Sequence, residues 1–354
     1  MKKTCIAIIG CGRIANNAHL PALSAMENVR LKYACDLIAG KAESACTKFG
    51  CENAITDYRV ALADPEVEVV YVLTPNAAHY EISMAALRAG KHVFCEKPIT
   101  VNYALSCEMA EEAHRAGKLL NIGVCNRYNR SVEMIEELCR SGALGDVYHV
   151  YCSFRSYRCI PGLGGAFTTK KESGGGVLID WGVHFLDLIL YILGGAKLET
   201  VTCDTYNKMA TDMKSYVYRS MWAEDTKDIE HGVNDVDDFV TGYIRTNKAS
   251  ISFNGAWAQN IGQDEMFIDF LGDKGGVRLQ YGKTFTIWTV ENGVLVKKEP
   301  LYDVNNQYAS EDAAFLRACE TGEKTKTYID NILESAKLLD TLYASAEKHR
   351  EIVL

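Results

Sequence analysis

Asp180 and His184 stand four residues apart in DWGVHFLDL, the stretch from Asp180 to Leu188 that follows the glycine run Gly174 to Gly176. Four residues is about one helical turn, so a helix here points both side chains the same way. Asp187 adds a third polar group near that face. An imidazole titrates near neutral pH and can take a proton from a hydroxyl; a carboxylate can orient it or hold a neighbouring hydroxyl. The plainer alternative is a capped helix with one satisfied histidine. A second chemical candidate lies upstream, at Lys97 in FCEKPIT. Its ammonium could stabilise charge developing on an oxygen or lower a neighbour's proton affinity. It could equally be a solvated loop lysine paired with Glu96.

These residues need elements to hold them. TCIAII, Thr4 to Ile9, reads as a strand, and Gly10-Cys11-Gly12 with Ala15 completes a GxGxxA turn before a helical pattern that opens near Arg13. Gly10 allows the tight turn, Gly12 lets a pyrophosphate approach the backbone, and the helix N-terminus faces the phosphates. RLKYACD ends a second strand in Asp36, 21 residues beyond Ala15, near the spacing of a ribose-binding carboxylate. Such a charge favours NAD over NADP, although Lys41 stands close by. The alternative reading of Asp36 is a helix cap or turn residue.

Alternation continues with a short helix at 58–63, a strand at 68–73, a helix at 77–89, the strand in KHVFCEK, a helix at 101–116 and a strand at 119–124. Near-continuous apolar strands between helices predict a parallel sheet covered on both faces. Ligands bind at the carboxyl ends of such strands, which places Thr74-Pro75-Asn76 and Glu96-Lys97-Pro98 at one rim.

The style changes after Val124. Asn126 to Asn129 opens into a helix at 131–139, and Asp146 to Arg158 alternates like a strand with an exposed face. After a glycine-rich loop from Ile160 to Gly165 comes the helix of Asp180. LETVTC, DDFVTGYIRT, ASISFNGAWA, MFIDFLG, GVRLQ and TFTIWTV then predict a large, open, mostly antiparallel sheet. Helical patterns follow at 308–319 and 328–348. The expected fold class is α/β, with a dinucleotide-binding domain over 1–125 and a substrate and oligomerisation domain over 126–354. The terminal helices may be counted with either, since they can pack back on the first. A sheet this large must cover its apolar face with helices or a second subunit, so a homo-oligomer is expected.

Composition sets the outer bounds. The chain has 354 residues, 48% of them apolar, 6 prolines and a formal net charge of −8, which suits a two-domain folded protein. No basic block invites nucleic acid. The 13 cysteines are odd in number and include no CxxC, so they read as free thiols in a reducing compartment, with no metal site. The expectation is that no apolar run reaches the roughly 18 residues needed to cross a bilayer. The expected setting is the cytoplasm.

GCGRIA, TPNAAHY, FCEKPIT and GGGVLIDWGVHFLDL, in that order, closely resemble the glucose–fructose oxidoreductase, inositol dehydrogenase and rhizopine-catabolism (Gfo/Idh/MocA) family, and VNDVDDF and LGDKGGVRL resemble its later sheet signatures. The resemblance spans essentially the whole chain. It implies a Rossmann domain followed by an α/β domain with a large open sheet. It implies an NAD(P)-dependent dehydrogenase moving hydride between nicotinamide and a secondary alcohol or ketone of a sugar, cyclitol or glycoside, with C3 of a hexose ring a plausible position. The rival readings are a glycosidase that works by transient oxidation with a retained NAD, and a nucleotide-binding sensor without chemistry.

By the same resemblance the catalytic roles fall on Lys97, Asp180 and His184. Gly10, Gly12, Arg13, Ile14, Asp36, Thr74, Asn76, His79, Glu96 and Lys97 are expected along the cofactor. His79 could instead face solvent from its helix. Arg127, Tyr128, Tyr157, Arg158 and Trp181 are expected on the substrate side, and Asn260 could read a further hydroxyl. Trp181 departs from a position that is usually smaller and aliphatic; it either widens the pocket wall or packs in the core. The loop Cys159–Gly165 and the segment Met221–Asn234 look individual to this chain and could shape access for a larger substrate.

Overall fold

The computed structural model describes residues 3–354. The chain divides into two compact units. The first ends at Tyr128 and takes back Asn306–Leu333; the second is Asn129–Asn305 with Glu334–Leu354.

In the first unit six strands form a parallel sheet: β1 (Thr4–Ile9), β2 (Val29–Cys35), β3 (Asn53–Ile55), β4 (Val69–Val72), β5 (His92–Glu96) and β6 (Leu120–Gly123). Their order is β3-β2-β1-β4-β5-β6, which reverses direction between β1 and β4. That reversal opens the crevice where doubly wound sheets bind dinucleotides. The central strands are apolar throughout because helices cover both faces; Ile6, Ile8, Tyr71 and Phe94 are fully buried. Short polar side chains start the helices. Asp57 accepts the Arg59 amide ahead of Tyr58–Ala63, and Asn102 accepts that of Leu105 ahead of Tyr103–Ala116. Each cap satisfies an amide that the helix cannot pair itself. The returning helix, Gln307–Thr321, is capped by Asn306 and delivers Phe315 to this core.

The second unit has nine strands: β7 (Val147–Arg155), β8 (Leu198–Tyr206), β9 (Phe239–Thr246), β10 (Ser250–Ala256), β11 (Glu265–Gly272), β12 (Gly275–Gln280), β13 (Phe285–Glu291), β14 (Val294–Lys298) and β15 (Ile352–Val353). They pair in the order β14-β13-β12-β11-β7-β10-β9-β8-β15, and only β7 with β10 is parallel. One face is apolar: Val150, Cys152, Phe154, Ile251, Phe253, Ile268 and Phe270 pack with Ile135, Leu186 and Ile189 of the helices. The other face carries polar and aromatic side chains. His149 reaches Ser250 at 2.7 Å and Ser252 at 3.2 Å, Arg155 pairs with Glu265, and Tyr148 and Tyr151 are exposed.

Against the expectation from the sequence, the stretch Lys170–Leu193 is long and apolar enough by composition to cross a membrane; its most apolar window is 83% buried inside the protein, as suits a core helix. Both helices that follow a chemically important glycine turn contain a π-turn, Ala15–His19 in one and Leu178–Gly182 in the other.

Candidate active site

The glycine turn after β1 is built as its sequence implies. Gly10 has φ +97°, and a Cβ there would meet the Leu73 carbonyl oxygen at 2.5 Å. Only glycine fits, because both the backbone angle and the neighbouring strand exclude a side chain. Beside Gly12 there is open space for a Cβ-sized group, as a phosphate cradle requires. Arg13 and Ile14 open the helix behind it. Asp36 directly follows β2, with its carboxylate placed by two amides: Oδ2 accepts from Cys11 N at 3.0 Å and Oδ1 from Ile38 N at 2.9 Å. Next to it Leu37 and Ile38 are exposed. A carboxylate beside the glycine turn and an open cradle above it fit a dinucleotide whose ribose has a free 2′-hydroxyl.

The other end of the crevice is tied to the same sheet. Thr74 follows β4 and Asn76 opens a short 3₁₀ turn. His79 is fully buried, against the solvent-facing alternative. Its Nδ1 lies 2.8 Å from the Pro98 carbonyl and its Nε2 2.9 Å from that of Thr74. It therefore clips the Thr74 turn to the Lys97–Pro98 turn. Burial lowers its proton affinity, and the two carbonyls oppose that. Glu96, last in β5, is 4% exposed, and its Oε2 accepts the Lys97 amide at 2.9 Å. Lys97 is half-buried.

Arg127 and Tyr128 have structural tasks here. Arg127 donates to the carbonyls of Lys326 at 2.9 Å and Asn331 at 3.1 Å, and the Tyr128 ring lies under Lys326 Nζ at 4.2 Å. Both fasten the returning segment to the first unit.

In the second unit Asp180 lies within the π-turn and His184 in the α-helix Val183–Leu193. The regular helix expected over both is interrupted. Asp180 is 8% exposed and His184 half-buried. Asp187 leaves this pair, since its Oδ1 accepts from Ser335 Oγ at 2.7 Å in the buried core. Trp181 is half-buried and packs against the core cluster.

The start of this helix is held by Asp237, which the sequence reading passed over. Its Oδ1 accepts the Gly176 amide at 2.8 Å and the Tyr343 hydroxyl at 2.9 Å, and its Oδ2 accepts the Leu178 amide at 2.9 Å. A Cβ on Gly176 would fall 1.9 Å from the Asp237 carbonyl oxygen. The glycine run thus serves close backbone packing with this segment.

The two individual segments are one assembly. Gly162 N donates to Trp222 O at 3.1 Å and Asp228 N to Leu163 O at 3.0 Å. Arg158, just ahead of the first segment, donates from its guanidinium to Val217 O at 2.9 Å and Asn260 Oδ1 at 2.7 Å. Arg158 and Asn260 therefore engage each other, while Tyr157 gives its amide to Asp264 at 2.8 Å.

The sequence also gave no sign of a buried cluster in the first unit. His19 lies 2.9 Å from Asp312 Oδ1 and 3.1 Å from Glu96 Oε1, and Glu311 is fully buried with neither oxygen hydrogen-bonded among the described residues. Burial pushes the Glu311 carboxyl well above its ordinary 4.5, with the Glu96 charge adding to it. The folded chain therefore keeps a proton on Glu311 that the unfolded chain releases above pH 4.5. Glu311's contribution to stability is full below that value and falls as pH rises from there towards the folded carboxyl's own, raised pKa. Glu311→Gln removes this slope, so its stability relative to the wild type rises with pH. Urea denaturation at several pH values checks this; parallel curves would refute it.

Comparison with known proteins agrees with both units. Residues 4–124 match the "Oxidoreductase family, NAD-binding Rossmann fold" profile and residues 132–278 the "GFO/IDH/MocA C-terminal domain" profile. The D-glucoside 3-dehydrogenase of Escherichia coli strain K12 is 30% identical over 350 residues, covering 99% of this chain and 97% of that protein. Among solved structures, a levoglucosan dehydrogenase in complex with NADH superposes with a TM-score of 0.86 at 20% identity, over 99% of both chains. An aldose-aldose oxidoreductase from Caulobacter crescentus gives 0.82 at 23% identity, over 100% of both chains.

The protein belongs to the Gfo/Idh/MocA oxidoreductase family. It is a hydride-transfer enzyme, and its first unit is the family's NAD-binding domain.

Proposed function

We propose that the chain oxidises a secondary hydroxyl of a sugar or glycoside, at C3 of a hexose ring, and hands the hydride to NAD. The observation that carries this reading is the end-to-end similarity to D-glucoside 3-dehydrogenase. Bound NAD supplies the hydride acceptor, held by Gly10, Gly12, Arg13, Ile14, Asp36, Thr74, Asn76 and Glu96. His184 is the proposed base and takes the hydroxyl proton on its imidazole. Lys97 donates from its ammonium to the oxygen as negative charge develops there. Asp180 orients the imidazole or accepts from a neighbouring hydroxyl. Tyr157 and the Cys159–Gly165 and Met221–Asn234 assembly are the proposed substrate-side elements. Arg127, Tyr128 and Trp181 act by holding structure.

We place the enzyme in the cytoplasm as a homo-oligomer formed through the polar and aromatic face of the large sheet. Its 13 free thiols and the exposed Tyr148 and Tyr151 support this. Light scattering after size exclusion would give a mass above the 39.2 kDa protomer.

The test follows reduced nicotinamide by absorbance while free hexoses, inositols and O- and C-glycosides are added, with and without NAD. Reduction of added NAD by a glucoside, with a 3-keto product, is expected. Response to inositols alone would overturn the substrate class, and bond cleavage without added NAD would overturn the dehydrogenase reading. Asp36→Asn keeps one acceptor for the Cys11 amide but removes the charge. It should lower the NAD-over-NADP ratio of kcat/KM by about 10- to 100-fold. An unchanged ratio removes Asp36 from ribose recognition.

A further inference from the structure

His19 sits in a π-turn, far in sequence from every catalytic candidate, yet it is one bond from the Lys97 motif. It is fully buried. Rings of Phe94, Tyr71 and Tyr308 pack against it, with centroids at 5.0, 5.7 and 5.7 Å. Both of its nitrogens face carboxyl oxygens, Nδ1 to Asp312 at 2.9 Å and Nε2 to Glu96 at 3.1 Å. A neutral imidazole has one donor and one acceptor, whereas ionised carboxylates only accept. With both partners ionised, protons sit on both nitrogens; burial pushes the Asp312 carboxyl up, and the His19 charge and hydrogen bond oppose that.

The Glu96 carboxylate is confined on its other sides too. Oε2 takes the Lys97 amide, and a Cβ on Gly123 would come within 2.7 Å of Oε1. The chain from His19 to Lys97 is thus continuous: Asp312, His19, Glu96, backbone of Lys97. The titratable groups around the ring are Asp312, Glu311 and Tyr308 from the returning helix, Glu96 from β5 and Tyr71 from β4. Burial alone would lower the imidazole's proton affinity; the charge of Asp312, its hydrogen bond and then Glu96 outweigh it and raise it to about 10.

We propose that His19 is a positioning residue: as an imidazolium it grips Asp312 with one nitrogen and Glu96 with the other, fixing the carboxylate that sets how Lys97 leaves β5. The importance of that fixing rests on the proposed role of Lys97. Asp312 is the anchor, because it lies on the returning helix and orders the ring from the side opposite Glu96.

The first arm of the test is ¹⁵N NMR of imidazole-labelled full-length chain, with the His19 signal identified by its loss in His19→Gln. Both nitrogens should be protonated in the wild type at mildly alkaline pH; a neutral ring there overturns the proposal. The second arm is Asp312→Asn, which keeps shape and removes the charge. It should leave His19 neutral and lower kcat by about 10- to 100-fold, with NADH affinity and the KM for NAD nearly unchanged. Unchanged kcat with a neutral His19 overturns the positioning role. A third arm separates this inference from the proposed activity. The ¹³C signal of dimethylated Lys97 should shift in Asp312→Asn and in His19→Gln whether or not any substrate is turned over. An unmoved signal overturns the inference, and a shifted one with no turnover on any panel compound faults only the assigned reaction.

Discussion

Lys97→Met should lower kcat by about a thousandfold or more while NADH binds nearly as before. The side chain keeps its length and loses only its ammonium. The backbone contacts stay: Glu96 still accepts the residue 97 amide, and His79 still holds Pro98. What is lost is the proposed donor to the developing alkoxide, and removal of one such donor or proton-transfer group commonly costs about 10²- to 10⁴-fold. His184→Asn should lose turnover similarly, by removal of the proposed base. Fluorescence titration with NADH and steady-state rates on the responding glucoside separate binding from chemistry. Activity within a few-fold of wild type would take Lys97 out of the mechanism.

The largest stability effect is expected from Asp237→Ala. Three donors lose a buried acceptor at once: the amides of Gly176 and Leu178 and the hydroxyl of Tyr343. Asp237 is 7% exposed, so water does not readily replace it. Burial works against its charged form, and those three bonds oppose that. Leaving such groups unsatisfied costs about 3–5 kcal/mol in total. Chemical denaturation should show the midpoint falling with an unchanged slope. A loss under about 1 kcal/mol would mean that the helix of Asp180 keeps its start by other contacts.

Much of the first sheet was legible in the sequence because its strands are apolar runs closed by turn residues. The helix Tyr58–Ala63 was placed to the residue, with Asp57 ahead of it as cap. The helix Ala39–Phe49 went unread because its buried face is made of small residues, Ala42 and Ala45, rather than large apolar ones. The edge strand β14 was missed for a related reason: it is exposed, and alternation has meaning only where one face is buried. The glycine turn, Asp36, Lys97, Asp180 and His184 could be picked out as candidates because their reading rests on local spacing.

The residues that the sequence did not reveal are joined across the chain. His19 and Asp312 are 293 residues apart, and Gly176 and Asp237 are 61. No local pattern encodes such pairs. Arg127 and Tyr128 show the converse: chemically rich side chains next to a motif also hold the returning segment.

The two π-turns have a consequence for how this chain can change. Each i→i+5 turn seats one residue more than an α-helical turn would. Deleting one residue from Ala15–His19, or from Leu178–Gly182, would repair a regular helix and leave the apolar stripe below it intact. It would change the facing only of side chains within the turn, His19 in one and Asp180 in the other, since a π-turn absorbs its extra residue without turning the helix beyond it. A lineage that lost either extra residue would keep its fold and misdirect its chemistry, so insertions and deletions at these two places are a more sensitive record of retained function than substitutions around them.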